Sequence, residues 1–114
     1  MKVAVVGSRN FTDYDLMKKV LDNIKIDTII SGGALGADYL AEQYAKENNL
    51  EMIIHKPNWH KHGKAAGYIR NVDIVNDADM VIAFWDGKSR GTHHTINITR
   101  KSGKFCSVIN YKEV

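Results

Sequence analysis

Residues 28–38, TIISGGALGAD, decide the fold that this sequence predicts. A short apolar run ends at Ser31, and three glycines follow within the five residues from Gly32 to Gly36. Small and apolar side chains then recur at helical spacing from Ala37 to Ala45. The pattern is typical of a buried strand that turns tightly into an amphipathic helix. Such a unit predicts a parallel sheet that is covered by helices.

The same strand-to-helix pattern recurs along the 114 residues. It predicts strands at 2–6, 27–31, 50–55, 79–85 and 104–109, and a first helix after an N-cap at Thr12 or Asp13. Further helices are predicted at 37–47, 66–76 and 92–101, the last closed by a C-cap at Gly103. Residues 56–66 are predicted to form a polar loop. The order predicts a Rossmann-like α/β fold, with three α/β/α layers and a mainly parallel five-stranded sheet, in one domain over residues 1–114.

Composition excludes several classes of protein. The chain is 44% hydrophobic and 25% charged, which is ordinary globular usage and unlike disordered, collagen-like or coiled-coil sequences. Cys106 is the single cysteine, so an internal disulfide is excluded, and we expect it to be a small buried hydrophobe. No apolar stretch approaches the roughly 20 residues that cross a bilayer. We therefore expect a cytoplasmic protein with no membrane contact.

The charge distribution by itself favours a solvated basic loop and is also compatible with an anionic small-molecule partner. The net charge of +3 is too small to indicate nucleic-acid binding by itself, and we do not expect a nucleic-acid partner. Between His55 and Arg70, however, the sequence holds several basic residues and no acidic one. This segment suits a small anionic ligand, although a solvated basic loop would have the same composition.

The loops after the first, second and fourth predicted strands are rich in glycine, serine and arginine. Because the carboxyl ends of parallel strands share one rim of the sheet, we expect these loops to meet there. Gly7-Ser8-Arg9 can approach and contact an anion, or can form an ordinary turn. The segment at 31–38 suits anion binding at a helix N-terminus, although it matches neither the dinucleotide fingerprint nor a P-loop.

Two later segments carry further candidates. Trp59 can stack on a base or cover the sheet edge, and Arg70 can bind an anion or pair with Asp73. His60 and His62 lack a third ligand at a recognised spacing, so no metal site is expected. Residues 86–92 again join a strand to a helix start, where phosphate is favoured. The histidines that follow at 93 and 94 are either acid–base groups or polar surface groups.

These segments predict one ligand site. Its hypothesised donors are the backbone N–H groups of the glycine loops and the serine and threonine hydroxyls, with the two arginines neutralising charge. Asp38 and Asn71 would contact ribose or base, and Trp59 would form a stacking wall. The predicted ligand-binding residues are Gly7, Ser8, Arg9, Gly32, Gly33, Ala34, Gly36, Asp38, Trp59, Arg70, Asn71, Asp86, Ser89, Gly91 and Thr92.

Taken together, the motifs resemble the SLOG superfamily, and most closely its small stand-alone YspA-like branch. The carrying residues are 5–9 (VVGSR), 32–38 (GGALGAD), Trp59 with 62–71 (HGKAAGYIRN), and 83–92 (AFWDGKSRGT). The superfamily also includes the Smf/DprA domain and the LOG-type phosphoribohydrolases. The resemblance implies a Rossmann-like fold, a nucleotide, nucleoside or ADP-ribose-like ligand, and homodimers or higher oligomers, with no cofactor.

One departure from that resemblance bears on activity. The LOG-type hydrolases carry a glutamate after a Gly-Thr pair, and here Gly91-Thr92 leads to Thr95 at the matching position. The usual carboxylate for N-glycosidic cleavage is therefore missing, and no catalytic residue is assigned. Three functions stay open: a module that senses or sequesters a nucleotide-derived molecule, such as a signalling nucleotide; an N-glycosidase or phosphoribohydrolase acting on a nucleoside monophosphate; and a DprA-like nucleic-acid-binding module. We favour the first.

Overall fold

The computed structural model describes residues 1–112 and confirms the predicted parallel α/β architecture. All neighbouring strands pair in parallel. The strands are β1 (Lys2–Gly7), β2 (Thr28–Ser31), β3 (Glu51–Ile54), β4 (Met80–Trp85) and β5 (Phe105–Asn110). The helices are α1 (Tyr14–Leu21), α2 (Ala37–Glu47), α3 (Trp59–His62), α4 (Ala66–Asp77) and α5 (Arg90–Lys101).

The strand order across the sheet is β3-β2-β1-β4-β5. The chain builds outward from β1 to β3 and then returns across the sheet to place β4 on the other side of β1. Val3 and Val5 of β1 pack with α1 and α2 in one core cluster, whereas Ala4 and Val6 pack with α4 and α5 in the other. Because side chains alternate along a strand, those of β1 contribute to two cores, one on each face of the sheet. The topological switch point lies between the carboxyl ends of β1 and β4, which is where open α/β sheets bind ligands.

Several local predictions are confirmed by the caps. The Asp13 side chain accepts a hydrogen bond from the Leu16 N–H and so caps α1. Gly103 directly follows Ser102, the C-cap residue of α5. Its φ is +80°, the left-handed conformation that favours glycine.

The structure corrects two predictions. Residues 56–66 are not a plain loop, because they hold α3 and a 3₁₀ turn at Gly63–Ala65. Asn58 starts α3 by accepting a hydrogen bond from the Lys61 N–H at 3.0 Å. Cys106 is half-buried rather than buried, because it lies on β5 at the edge of the sheet. Within residues 1–112, no helix has the length and apolar character needed to cross a bilayer.

Candidate functional site

A cleft of about 640 Å³ opens at the carboxyl ends of β1, β2 and β4, beside the switch point. The glycine-bearing loops form its floor and walls, and α3 and α4 close one side. Most of the predicted site residues line it: Gly7, Arg9, Gly32, Gly33, Ala34, Asp38, Trp59, Arg70, Asn71, Ser89, Gly91 and Thr92.

Three predicted residues lie behind the cleft instead of lining it. Ser8 is buried, and its hydroxyl accepts a hydrogen bond from the Asp86 N–H at 3.0 Å, which ties the loop after β1 to the loop after β4. Asp86 accepts from the N–H groups of Lys88 and Ser89, each at 2.8 Å. These N–H groups hold the pKa of Asp86 below its usual value. Gly36 precedes α2 at φ +77°, and a Cβ there would meet backbone atoms of the first loop. All three shape the loops that form the cleft.

The cleft also contains residues that were not among the predicted ligand-binding residues. Lys56 and Pro57 follow β3 and reach the cleft, with the side chain of Lys56 lying over Gly33. Thr95 lines the cleft one helical turn after Thr92. Lys56 follows a strand end, like the predicted loops, so the same rule would have found it. Thr95 was noted from the sequence as the residue in place of the LOG-type glutamate, and its spacing from Thr92 on the helix would also have predicted that it lines the cleft.

The Arg70 side chain is held by two hydrogen bonds at the edge of the cleft. Its Nη1 donates to the Gly32 carbonyl at 2.6 Å, and its Nε donates to the Asn71 side-chain oxygen at 3.0 Å. A Cβ on Gly32 would lie 2.4 Å from Nη1, so a larger residue here would displace the guanidinium from this position. Burial lowers the pKa of Arg70, and Asp38 opposes that shift. Among residues 1–112, Arg70 forms no ion pair with Asp73.

Among residues 1–112, Asp38 is the one carboxylate whose side chain lines the cleft. It lies in the first turn of α2, is 6% exposed, and accepts a hydrogen bond from the Ala34 N–H at 3.2 Å. Burial raises the pKa of Asp38 to about 6, although the Ala34 N–H and the Arg70 guanidinium act in the opposite direction. A carboxyl that titrates near neutral pH in a cleft is a feature of functional sites.

Asn71 joins the two helices that flank the cleft. Its side-chain nitrogen donates to the Gly91 carbonyl at 3.3 Å and lies 3.2 Å from Nδ1 of His94. The His94 ring packs against the edge of Tyr68, with 4.6 Å between ring centroids, and burial lowers its pKa. Asn71 therefore makes its hydrogen bonds to residues of α4 and α5. These hydrogen bonds position Arg70 and Gly91 in the cleft wall.

The N-terminus of α5 forms the wall opposite the α2 loop. The Ser89 hydroxyl accepts a hydrogen bond from the Thr92 N–H at 3.4 Å and caps the helix. Gly91, in the first turn, has no atom within 4 Å of the position a Cβ would take, so its backbone is open to approach. The first turn of a helix leaves N–H groups without intrahelical partners and carries a partial positive charge. This wall therefore attracts anions.

A second groove, of about 420 Å³, lies between α2 and β3 and contains none of the predicted site residues. Glu42, Lys46 and Met52 are among the residues that line it. Within the described part of the chain, no three His, Cys, Asp or Glu side chains lie close enough together to hold a metal ion.

Comparison with known proteins identifies relatives of the whole chain. A model of the YspA, cpYpsA-related SLOG family matches residues 1–62. The Gene 61 protein of Mycobacterium phage D29 is 33% identical over 121 residues, which covers 96% of this chain and 95% of that protein. The X-ray structure of DNA processing protein A (DprA) from Streptococcus pneumoniae matches with a TM-score of 0.77 and 23% identity. That match covers 94% of this chain and 49% of the DprA chain, so this chain spans about half of DprA, and it shows a shared fold.

Proposed function

Because the chain belongs to the YspA, cpYpsA-related SLOG family, we propose that it binds a nucleotide-derived small molecule in the cleft beside the switch point. The bound molecule is sensed or sequestered, and a signalling nucleotide is one such ligand. We further propose that residues 1–114 act as one nucleotide-binding domain, in the cytoplasm and as a homo-oligomer.

The observation that carries this proposal is the convergence of anion-binding groups on one cleft of suitable size. Arg9, Lys56 and Arg70 line it together with the N-terminus of α5. Its volume of about 640 Å³ lies within the roughly 300–1,000 Å³ of small-molecule sites. Cations and free helix N–H groups are the groups that proteins use to hold phosphate.

Trp59 supports a ligand that carries a base. It begins α3 at the mouth of the cleft and is 60% exposed. A large exposed indole is costly to leave in water unless a partner covers it, and a base offers a flat face for stacking. The Trp59 ring lies beside Gly67 on α4, which leaves room for the ring at this edge.

Asp38 favours hydrolysis as a second candidate function. Asp86 is turned away from the cleft, so Asp38 is the carboxylate placed to act where Thr95 replaces the glutamate of the LOG-type enzymes. In such a reaction the C1′–N bond breaks and a C1′–O bond forms with water. Asp38 would take the proton from water and return a proton to the departing base. Its raised pKa suits this exchange near neutral pH.

One binding experiment separates these functions. The purified chain is incubated with nucleoside monophosphates, cyclic dinucleotides, ADP-ribose and a single-stranded DNA oligonucleotide, and the bound, free and converted species are compared by mass spectrometry. We expect a small nucleotide that is retained and then released unchanged on denaturation. Free base that accumulates with time would establish the hydrolase instead. Retention of the oligonucleotide alone, with steep salt dependence, would contradict the proposal and favour a nucleic-acid module.

Arg9→Ala tests whether the cleft is the binding site. Arg9 is exposed and lines the cleft, so its removal should leave the fold intact and weaken nucleotide binding about 10- to 100-fold, the range for a lost charged hydrogen bond. Arg100→Ala is the matched control, because Arg100 is an exposed arginine near the far end of α5. Equal affinities of both variants and the unaltered chain, measured by calorimetry, would place the ligand elsewhere.

A further inference from the structure

Two backbone donors of the glycine loop after β2 are already used inside the protein. The Gly33 N–H donates to the Ser31 hydroxyl at 3.3 Å, and the Ala34 N–H donates to Asp38 at 3.2 Å. Arg70, beside them, is bonded to Gly32 and Asn71. A phosphate in this loop would have to displace the Asp38 carboxylate or lie against it. The sequence suggested that this loop holds phosphate, and these contacts argue against that assignment.

This end of the cleft holds the Asp38 carboxylate together with the basic side chains of Arg70 and Lys56. Asp38 lies close to the Arg70 guanidinium, and each raises or lowers the other's pKa in the direction expected of opposite charges. The Ala34 N–H donates to Asp38 at 3.2 Å, and the Gly32 N–H also acts on this carboxylate and lowers its pKa. A carboxylate offers about four acceptor positions, so Asp38 retains unused acceptor capacity that faces the cleft. This end is suited to a group that donates hydrogen bonds.

The other end of the cleft lies at the N-terminus of α5, and its electrostatic character differs from that of the Asp38 end. The first turn of α5 brings the positive end of a twelve-residue helix to the cleft, and Gly91 leaves its backbone open. Arg9 lines the cleft as well, and it is exposed. No carboxylate from α5 or from the loop before it lines the cleft among the described residues. This end is suited to an anion.

We propose that the cleft holds a ribonucleotide in one orientation, with its phosphate at the N-terminus of α5 and its ribose hydroxyls on Asp38. This inference rests on the proposed function, because it requires that a nucleotide binds. The sugar hydroxyls donate to the carboxylate, which water cannot easily replace because Asp38 is buried. The phosphate is kept away from that carboxylate by charge repulsion. A ligand without the ribose hydroxyls leaves Asp38 buried and under-bonded, and this is how the site selects ribose.

The test compares ribonucleotides with their 2′-deoxy counterparts on the unaltered chain. AMP, GMP, CMP and UMP are measured by equilibrium dialysis against dAMP, dGMP, dCMP and dUMP. We expect the ribose form of whichever nucleotide binds to bind about 10- to 100-fold more tightly, the cost of leaving a charged acceptor unpaired. Asp38→Asn keeps the shape of the side chain and removes its charge, and it should reduce this preference to less than about threefold.

The outcomes separate the inference from the function on which it rests. Equal binding of ribose and deoxyribose forms would overturn the orientation and leave nucleotide binding intact. A ribose preference that persists in a folded Asp38→Asn variant would also overturn it, because another residue would then read the hydroxyls. If no monophosphate binds, ADP-ribose and its 2′-deoxyribose analogue replace them in the same comparison. If neither of those binds, the inference fails, and the proposed function then depends on the cyclic dinucleotides of the binding experiment above.

Discussion

Asp38 is the residue whose titration should be visible in the stability of the whole chain. Burial raises its pKa from about 3.8 in the unfolded chain to about 6 in the fold. Between those values the folded state binds more protons than the unfolded state, so the contribution of Asp38 to stability falls as the pH rises. Above pH 6 to 7 it stays constant at its lower value. The shift corresponds to a loss of about 3 kcal/mol.

Asp38→Asn isolates this effect, because the amide does not titrate. We expect urea unfolding to favour the variant over the unaltered chain by about 2 kcal/mol more at pH 7 than at pH 4, because part of the effect is already present at pH 4. Other carboxylates, such as Asp22 and Asp86, have lowered pKa values and lose their contribution as the pH falls, but they are present in both proteins and cancel. A difference between the two proteins that does not change with pH would show that Asp38 is ionised freely in the fold.

Gly7, the last residue of β1 and one of the predicted ligand-binding residues, shows that a glycine at such a position can be required by packing alone. A Cβ at this position would lie 2.4 Å from the Phe84 carbonyl oxygen and 2.6 Å from Cβ of Ala37. Both are parts of the core that cannot move aside. We expect Gly7→Ala to destabilise the chain by roughly 1–3 kcal/mol in urea unfolding.

Gly91→Ala is the matched control for Gly7→Ala, because it adds the same methyl group at the other side of the cleft. Nothing lies within 4 Å of its Cβ position, and alanine favours a helix, so stability should stay the same or rise by up to about 1 kcal/mol. If the two variants unfolded at the same urea concentration, the result would contradict the close packing of β4 and α2 against Gly7.

At the scale of the element, one residue at the start of α5 both caps the helix and lines the cleft in which we propose that a ligand binds. Ser89 caps the helix through the Thr92 N–H and also lines the cleft. Ser89→Ala should lose about 1 kcal/mol of stability, whereas Ser89→Asp should keep the cap. The aspartate, however, places a negative charge where we propose the phosphate to bind. We expect Ser89→Asp to reduce the affinity for nucleoside monophosphates at least tenfold and to leave the affinity for the free nucleoside nearly unchanged.

Calorimetry of nucleoside monophosphate and free nucleoside binding to Ser89→Asp shows whether affinity is lost through charge repulsion or through damage to the cleft. An equal loss for nucleotide and nucleoside would mean that the helix start has moved. Unchanged affinity for the monophosphate would place the phosphate away from α5, which would also contradict the proposed orientation.

The elements of this fold were predictable from the sequence because each of them is decided locally. The buried runs at 28–31 and 80–85 are too short and too β-branched for helices, and the caps at Asp13 and Gly103 have the residues that such caps require. The exception is α3, a helix of four residues that is too short to show a period and depends on the Asn58 cap. The strand order could not be predicted, because the crossover from β3 to β4 depends on packing across the sheet.

The candidate site was predictable as a set of loops and less so as a set of contacts. Strand ends and glycines located Arg9 and Asp38 on one rim, Arg70 was suggested by its capacity to bind an anion, and the fold brings all three to the same cleft. The sequence could not reveal that Ser8 faces inward to hold the Asp86 N–H. It also could not reveal that Asp38 accepts the Ala34 N–H, because hydrogen bonds between neighbouring loops depend on how closely the strands align.

For the molecule as a whole, binding in this cleft should raise the stability of the fold. The cleft is built from loops after four strands, so it exists only in the folded chain, and a ligand that binds there adds RT ln(1 + [L]/Kd) to the free energy of unfolding. At about 100 times Kd this amounts to about 2.7 kcal/mol. For a chain of this size, we expect the Tm to rise by roughly 10 °C.

The measurement is a series of thermal unfolding curves at fixed protein concentration and increasing nucleotide concentration. Arg9→Ala should need about 10- to 100-fold more nucleotide for the same rise, while Arg100→Ala should follow the unaltered chain. A Tm that does not change while dialysis shows bound nucleotide would mean that the nucleotide binds the unfolded chain equally well. Such binding needs only exposed basic side chains, and it would exclude the cleft as the site.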